Sequence, residues 1–90
     1  MIDIVKLILR ITTNDFDAEL TMLINSCKTD LSLAGVNNID IADDRIKNAI
    51  CLYCKANFGY REDMAKFQKA YETLRDSIAL SERYSKELET

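Results

Sequence analysis

The chain contains no histidine, no proline and no tryptophan, and only two glycines in 90 residues. Without histidine, a nucleophilic serine or cysteine has no imidazole beside it to take its proton, and no serine–lysine motif stands in for one. The glycines, Gly35 and Gly59, lie too far apart to build a phosphate-cradling loop. A basic excess is missing as well: 12 Lys and Arg face 15 Asp and Glu, for a net charge of −3. That balance argues against a dedicated nucleic-acid binder, which needs a basic face to displace counterions. Long apolar runs are also absent. Ile2 to Ile11 is interrupted by Lys6 and Arg10 and is too short to span a bilayer. It lacks the basic leader and small-residue cleavage site of a signal peptide. The expected compartment is therefore the cytosol, with Cys27, Cys51 and Cys54 reduced, and the odd cysteine count agrees.

What is present fits an ordinary globular domain: 48% apolar and 30% charged residues. A chain of this length forms one domain and buries only somewhat over ~60% of its unfolded surface, so it folds with a thin margin. Association with other copies or with a partner would relieve that margin.

Asp43 to Gly59 organises the rest. Two aspartates open it and a glycine closes it, the punctuation of a helix start and stop. Between them Ile46, Ala49, Ile50, Cys51, Leu52, Tyr53, Cys54, Ala56 and Phe58 wrap most of the helix surface. A helix apolar on nearly all sides is a central one. Before it, Ile2 to about Arg10 reads as a short amphipathic helix, with Asp3 in its first turn and Arg10 in its last. A polar break follows, where Asn14 and Asp17 resemble a helix cap. Phe16, Leu20, Leu23, Ile24, Cys27, Leu31 and Ala34 then form a single helical stripe, ended by Gly35 with Val36 placed for a hydrophobic capping contact. Val36 to Ala42 is a loop whose Ile39 and Ile41 are expected to tuck onto the core. A fourth helix is expected from about Arg61 to Leu80, with a seam of Met64, Phe67, Tyr71, Leu74 and Ile78. The expectation is an all-α, single-domain bundle of about four helices around a central buried one: a domain of residues 1–80 followed by a C-terminal extension, 81–90.

Each chemical constellation has a packing explanation. Cys51 and Cys54 match C-x-x-C, but zinc would need two further ligands and only Cys27 remains. A redox pair belongs at a helix N-terminus, not in the middle of an apolar helix. Asp40, Asp43 and Asp44 lack the spacing of a calcium loop, and Asp43 and Asp44 are explained as helix-start residues. Glu62 and Asp63 are adjacent and point to different parts of a helix surface, which is unsuited to paired acid–base work. No catalytic residue, metal or cofactor is expected. Lys47, Lys55, Arg61, Lys66, Lys69 and Arg75 are interleaved with acids and read as a solvated face, with a charged subunit interface as the alternative. The extension is different. Leu80, Tyr84 and Leu88 recur every four residues on an otherwise charged segment. Two readings stand, a frayed terminus and a helix laid into a partner's groove; the second makes Leu80, Glu82, Arg83, Tyr84, Lys86 and Leu88 the partner-binding residues.

Leu9-Arg-Ile11, Asp15-Phe-Asp17 opening a long helix, Ile46 through Tyr60, and Phe67-Gln-Lys-Ala-Tyr-Glu-Thr-Leu74 together resemble the small head–tail connector proteins of tailed bacteriophages. These are also called adaptors or head-completion proteins, from phages and prophages of Gram-positive bacteria. Cys54 departs from the small or branched apolar residue usual there, and proline is missing after Asp44; both departures are compatible with packing. The resemblance implies a structural, non-enzymatic protein of the virion, present in the host cytoplasm before assembly. It implies a ring beneath the portal protein, twelve-fold by the portal's symmetry, that docks the stopper or tail protein. DNA would pass through its channel without specific binding, and no membrane is involved. A different class remains as the alternative: a small bacterial adaptor or regulatory module that binds one protein through a helix-in-groove contact.

Overall fold

The computed structural model of the protein describes residues 1–59 and 62–89, with side chains of the last helix described to residue 83. Four α-helices follow one another: α1 (Ile2–Leu9), α2 (Asp17–Leu33), α3 (Asp44–Asn57) and α4 (Met64–Glu89). The fold is all-α, a small bundle in which α3 is the post and α1, α2 and α4 each pack against it. No strand forms among the described residues.

The reason α3 is central lies in its side chains. Ile46, Ala49, Ile50, Cys51, Cys54 and Ala56 are all buried, which leaves little of its surface for water. Around it stand Val5 of α1, Leu20, Ile24, Cys27 and Leu31 of α2, and Tyr71 and Ile78 of α4. Each large aliphatic side chain so buried contributes roughly 1.5–3 kcal/mol. The N-cap is Asp43, whose carboxylate accepts from the Arg45 backbone N–H at 2.9 Å and from its guanidinium at 2.9 Å. The Arg45 bonds hold the Asp43 carboxyl below its ordinary range.

The C-terminus of α2 follows the expected plan. Gly35 adopts φ 106°, its N–H donates to Ser32 O at 3.1 Å, and the Val36 N–H donates to Leu31 O at 3.0 Å. Val36 is then buried against the core. This pair of reversed bonds satisfies carbonyls that the helix leaves open, and only glycine enters the conformation without strain. Gly35→Ala is expected to cost about 1–2 kcal/mol. The added Cβ would meet Ala79 Cβ at an ordinary 3.9 Å, so the loss is backbone strain. An unchanged midpoint in a urea titration would show that the turn relaxes instead.

Four local expectations are corrected. Arg10 is not in the last turn of α1; it lies beyond it at φ 60°, in the left-handed position usually held by glycine, and Lys6 is the basic residue of that turn. The Arg10 and Ile11 N–H groups turn back onto Leu7 and Lys6 carbonyls, which ends the helix there. Asn14 does not cap α2. Its amide oxygen accepts from Lys6 Nζ at 2.7 Å, and Phe16 stands at the N-cap without a side-chain bond. Ile39 packs on the core, but Ile41 is 41% exposed. Finally, α4 starts at Met64 and does not end near Leu80 (the expected start, Arg61, lies outside the described residues). Residues 81–89 continue the helix to Glu89, because no glycine or proline interrupts them and Glu, Arg, Lys and Leu, all good helix formers, outnumber Ser81, Tyr84 and Ser85.

Candidate functional site

The three thiols are where the sequence places chemistry, and the fold closes them. Cys27, Cys51 and Cys54 are free and buried. Burial pushes Cys27 and Cys54 up to about 12, and raises Cys51 in the same direction. The thiolate is the reactive form, so these side chains are inert at neutral pH. Cys27 Sγ lies 4.0 Å from the Ala49 carbonyl, a packing contact between α2 and α3. Among the described residues no group of three metal-ligating side chains forms.

One polar cluster escaped the sequence reading. Tyr71 Oη donates to Asp30 Oδ2 at 2.5 Å, and Arg75 donates to the same oxygen at 3.1 Å. Arg75 also meets Asp76 at 2.9 Å. Its guanidinium pKa is raised, first by Asp76 and then by Asp30. The Tyr71 hydroxyl is raised by burial and by the carboxylate that accepts its proton. Arg75 is therefore no member of a solvated face; it ties α4 to α2. Lys55 lies over the Phe67 ring at 5.2 Å, while Lys47 reaches Asp44 only at 3.9 Å. The signal for the Asp30 cluster was present only as Asp30 beside Leu31 on α2 and Arg75 four residues after Tyr71. Nothing local says that the two rows meet.

With no reactive centre among the described side chains, the notable features are surfaces. On α1, Ile4, Leu7 and Ile8 are exposed, Leu7 at 78%. Lys6 turns the other way and holds α1 to the start of α2, its Nζ 2.9 Å from Asp17 Oδ1. On α2, Met22 is 70% and Leu33 is 83% exposed. Along α4, Lys66, Lys69, Ala70, Thr73, Leu74 and Ser77 line an open groove of about 550 Å³ with mostly apolar walls.

The residues expected to bind a partner divide into three. Leu80 and Arg83 are exposed and border a smaller polar depression of about 280 Å³ with Ala34, Asp76 and Ala79. Glu82 is already engaged: its carboxylate accepts from the Asn37 backbone N–H at 2.6 Å and fastens the loop after α2 to α4. The side chains of Tyr84, Lys86 and Leu88 lie outside the described residues. The backbone of α4 nevertheless carries these positions forward as helix, roughly 39 Å in all at 1.5 Å per residue. The longest dimension of the molecule is 48 Å against 24 and 18 Å across.

No described helix is long and apolar enough to cross a membrane. Residues 1–85 match the model of a family described as phage connector protein. No curated protein and no solved structure matches the chain.

Proposed function

Because the chain belongs to the phage connector protein family, whose role in the virion is structural, we propose that it forms a ring beneath the portal. There it extends the DNA channel and docks the stopper or tail protein. The family match over residues 1–85 carries this reading. The structure is in keeping with it: inert thiols, a minimal helical core, exposed uncharged helix faces and a last helix longer than its own bundle requires. The portal's twelve-fold symmetry would set the copy number. An acidic balance lets DNA slide past by like-charge repulsion without being gripped. A phage or prophage of a Gram-positive host is the proposed source.

The portal contact falls on the last turns of α4, from Arg83 through the sequence positions Tyr84, Lys86 and Leu88. Glu82 belongs to the fold, so the informative truncation ends the chain after Arg83 and keeps its bond to Asn37. That shortened chain is expected to retain its helical circular dichroism and melting transition, yet to fail to join portal-containing heads in a sedimentation assay. Full head binding by the truncated chain would remove the helix end from the interface. A stable dimer that ignores portal heads altogether would favour the adaptor-module alternative.

A further inference from the structure

We infer that the outer face of α2 on one copy packs into the α4 groove of the next, the two helices parallel, with Glu19 beside Lys66 and Leu33 beside Leu80. This rests on the ring reading and names the contact that would build it.

The first observation is a missing charge. On the solvent side of α2, Ala18, Met22, Asn25, Thr29 and Leu33 follow one another at helical spacing. This row carries no charge, in a chain 30% charged overall; Lys28 and Asp30, both half-buried, stand off it, and Asp30 is held by Tyr71 and Arg75. A single exposed leucine means little. A charge-depleted helix face carrying an exposed methionine and leucine has the composition of an interface core. The second observation is the receiving surface. Ala70, Thr73 and Ser77 keep the α4 groove shallow, Leu74 supplies its apolar wall, and among the described residues no other element lines it. The two faces are different surfaces, so joining them is heterologous, and repetition gives a closed ring or an open filament instead of a sealed dimer.

Charge complementarity selects the occupant and the direction. Asp15 and Glu19 stand where α2 begins, with Asp17 between them paired to Lys6. Lys66 and Lys69 are the charged residues of the α4 groove lining, which Glu62 and Asp63 precede without entering. Among the described residues Glu19, Lys66 and Lys69 make no ion pair. Laying the helices parallel brings Glu19 to the two lysines that line the groove. The spacings agree: Glu19 to Leu33 and Lys66 to Leu80 are both 14 residues, about 21 Å of helix. Leu33, at 83% exposed, and Leu80, at 65%, then cover one another. The turns beyond Arg83 are left for the portal.

The test uses the full chain carrying Leu33→Cys and Leu80→Cys, assembled on portal-containing heads and oxidised mildly at pH 8. Both positions are exposed, and the native thiols are buried and protonated at that pH. The doubly substituted chain is expected to give a ladder of disulfide-linked species extending well past the dimer, and each single variant none. Adding Lys66→Glu should cut the ladder yield at least tenfold, and Glu19→Lys on top of it should restore it. A ring seen by electron microscopy that gives no ladder overturns this interface and leaves the ring reading standing. Absence of any ring with or without portal overturns both. A ladder from Leu33→Cys with Lys66→Cys, and none with Leu80→Cys, overturns the parallel register. A yield unmoved by Lys66→Glu overturns the charge pairing.

Discussion

Tyr71→Ala is expected to lower the stability of the chain by about 3–5 kcal/mol, the range for deleting a buried aromatic ring. A domain of this length has only on the order of 5–13 kcal/mol in total. Tyr71 is fully buried and is the largest such side chain. Its ring meets Tyr53 edge-on at 5.1 Å, its hydroxyl bonds Asp30, and the Arg75 guanidinium lies 5.8 Å from the ring centre. The substitution therefore opens a cavity between α3 and α4 and cuts the link to α2 in one step. Tyr71→Phe separates the two losses. It keeps the ring and removes one hydrogen bond, while Asp30 retains Arg75 and is partly open to water. A cost near 1 kcal/mol is expected for it. Urea titrations followed by circular dichroism would measure both. If the phenylalanine variant lost as much as the alanine variant, the hydroxyl network and not ring packing would hold α4 in place.

Alkaline pH should unfold the protein well before it harms its backbone. Cys27 and Cys54 ionise near 9.0 in an open chain and near 12 in the fold. Between those values the unfolded chain has released protons that the folded chain keeps, so raising pH favours unfolding. The stabilisation is fully present below pH 9 and is lost as pH climbs toward 12. Cys51, Tyr53 and Tyr71 are raised too, each first by burial, and act with the same sign. Each such group steepens the fall by up to about 1.4 kcal/mol per pH unit within its window. The melting temperature is expected to be flat from pH 6 to 8 and to drop steeply from 9 upward. Cys54→Ala, although less stable at pH 7, should show a shallower alkaline fall. Parallel curves for the two proteins would mean that the thiol ionises inside the fold.

The order and kind of the helices were legible because their signals are local. Leu20, Ile24, Cys27 and Leu31 repeat at the helix period, and all four are buried. Asp43 before Ile46 marks a start, and Gly35 before Val36 marks a stop, each through bonds made within a few residues. Apolar residues around most of Ile46–Ala56, broken only at Lys47, Asn48 and Lys55, placed α3 at the centre before any contact was known. Local reasoning does not reach contacts made by distant groups. Asn14 was drawn off its helix by Lys6, and the Glu82 carboxylate accepts from Asn37 across the bundle, a bond no local pattern announces.

The sequence by itself determined the fold class, the central helix, the inertness expected of the cysteine pair and the family to which the chain belongs. Hydrophobic periodicity and capping chemistry are written at spacings of three and four residues, and the chain carries both. Tertiary structure alone decided that Arg75 and Tyr71 share Asp30, that Glu82 serves the loop, and that the faces of α2 and α4 remain uncovered. Those outcomes depend on which helices end up side by side. That is settled by burying the whole core at once, and no single stretch of the sequence contains it.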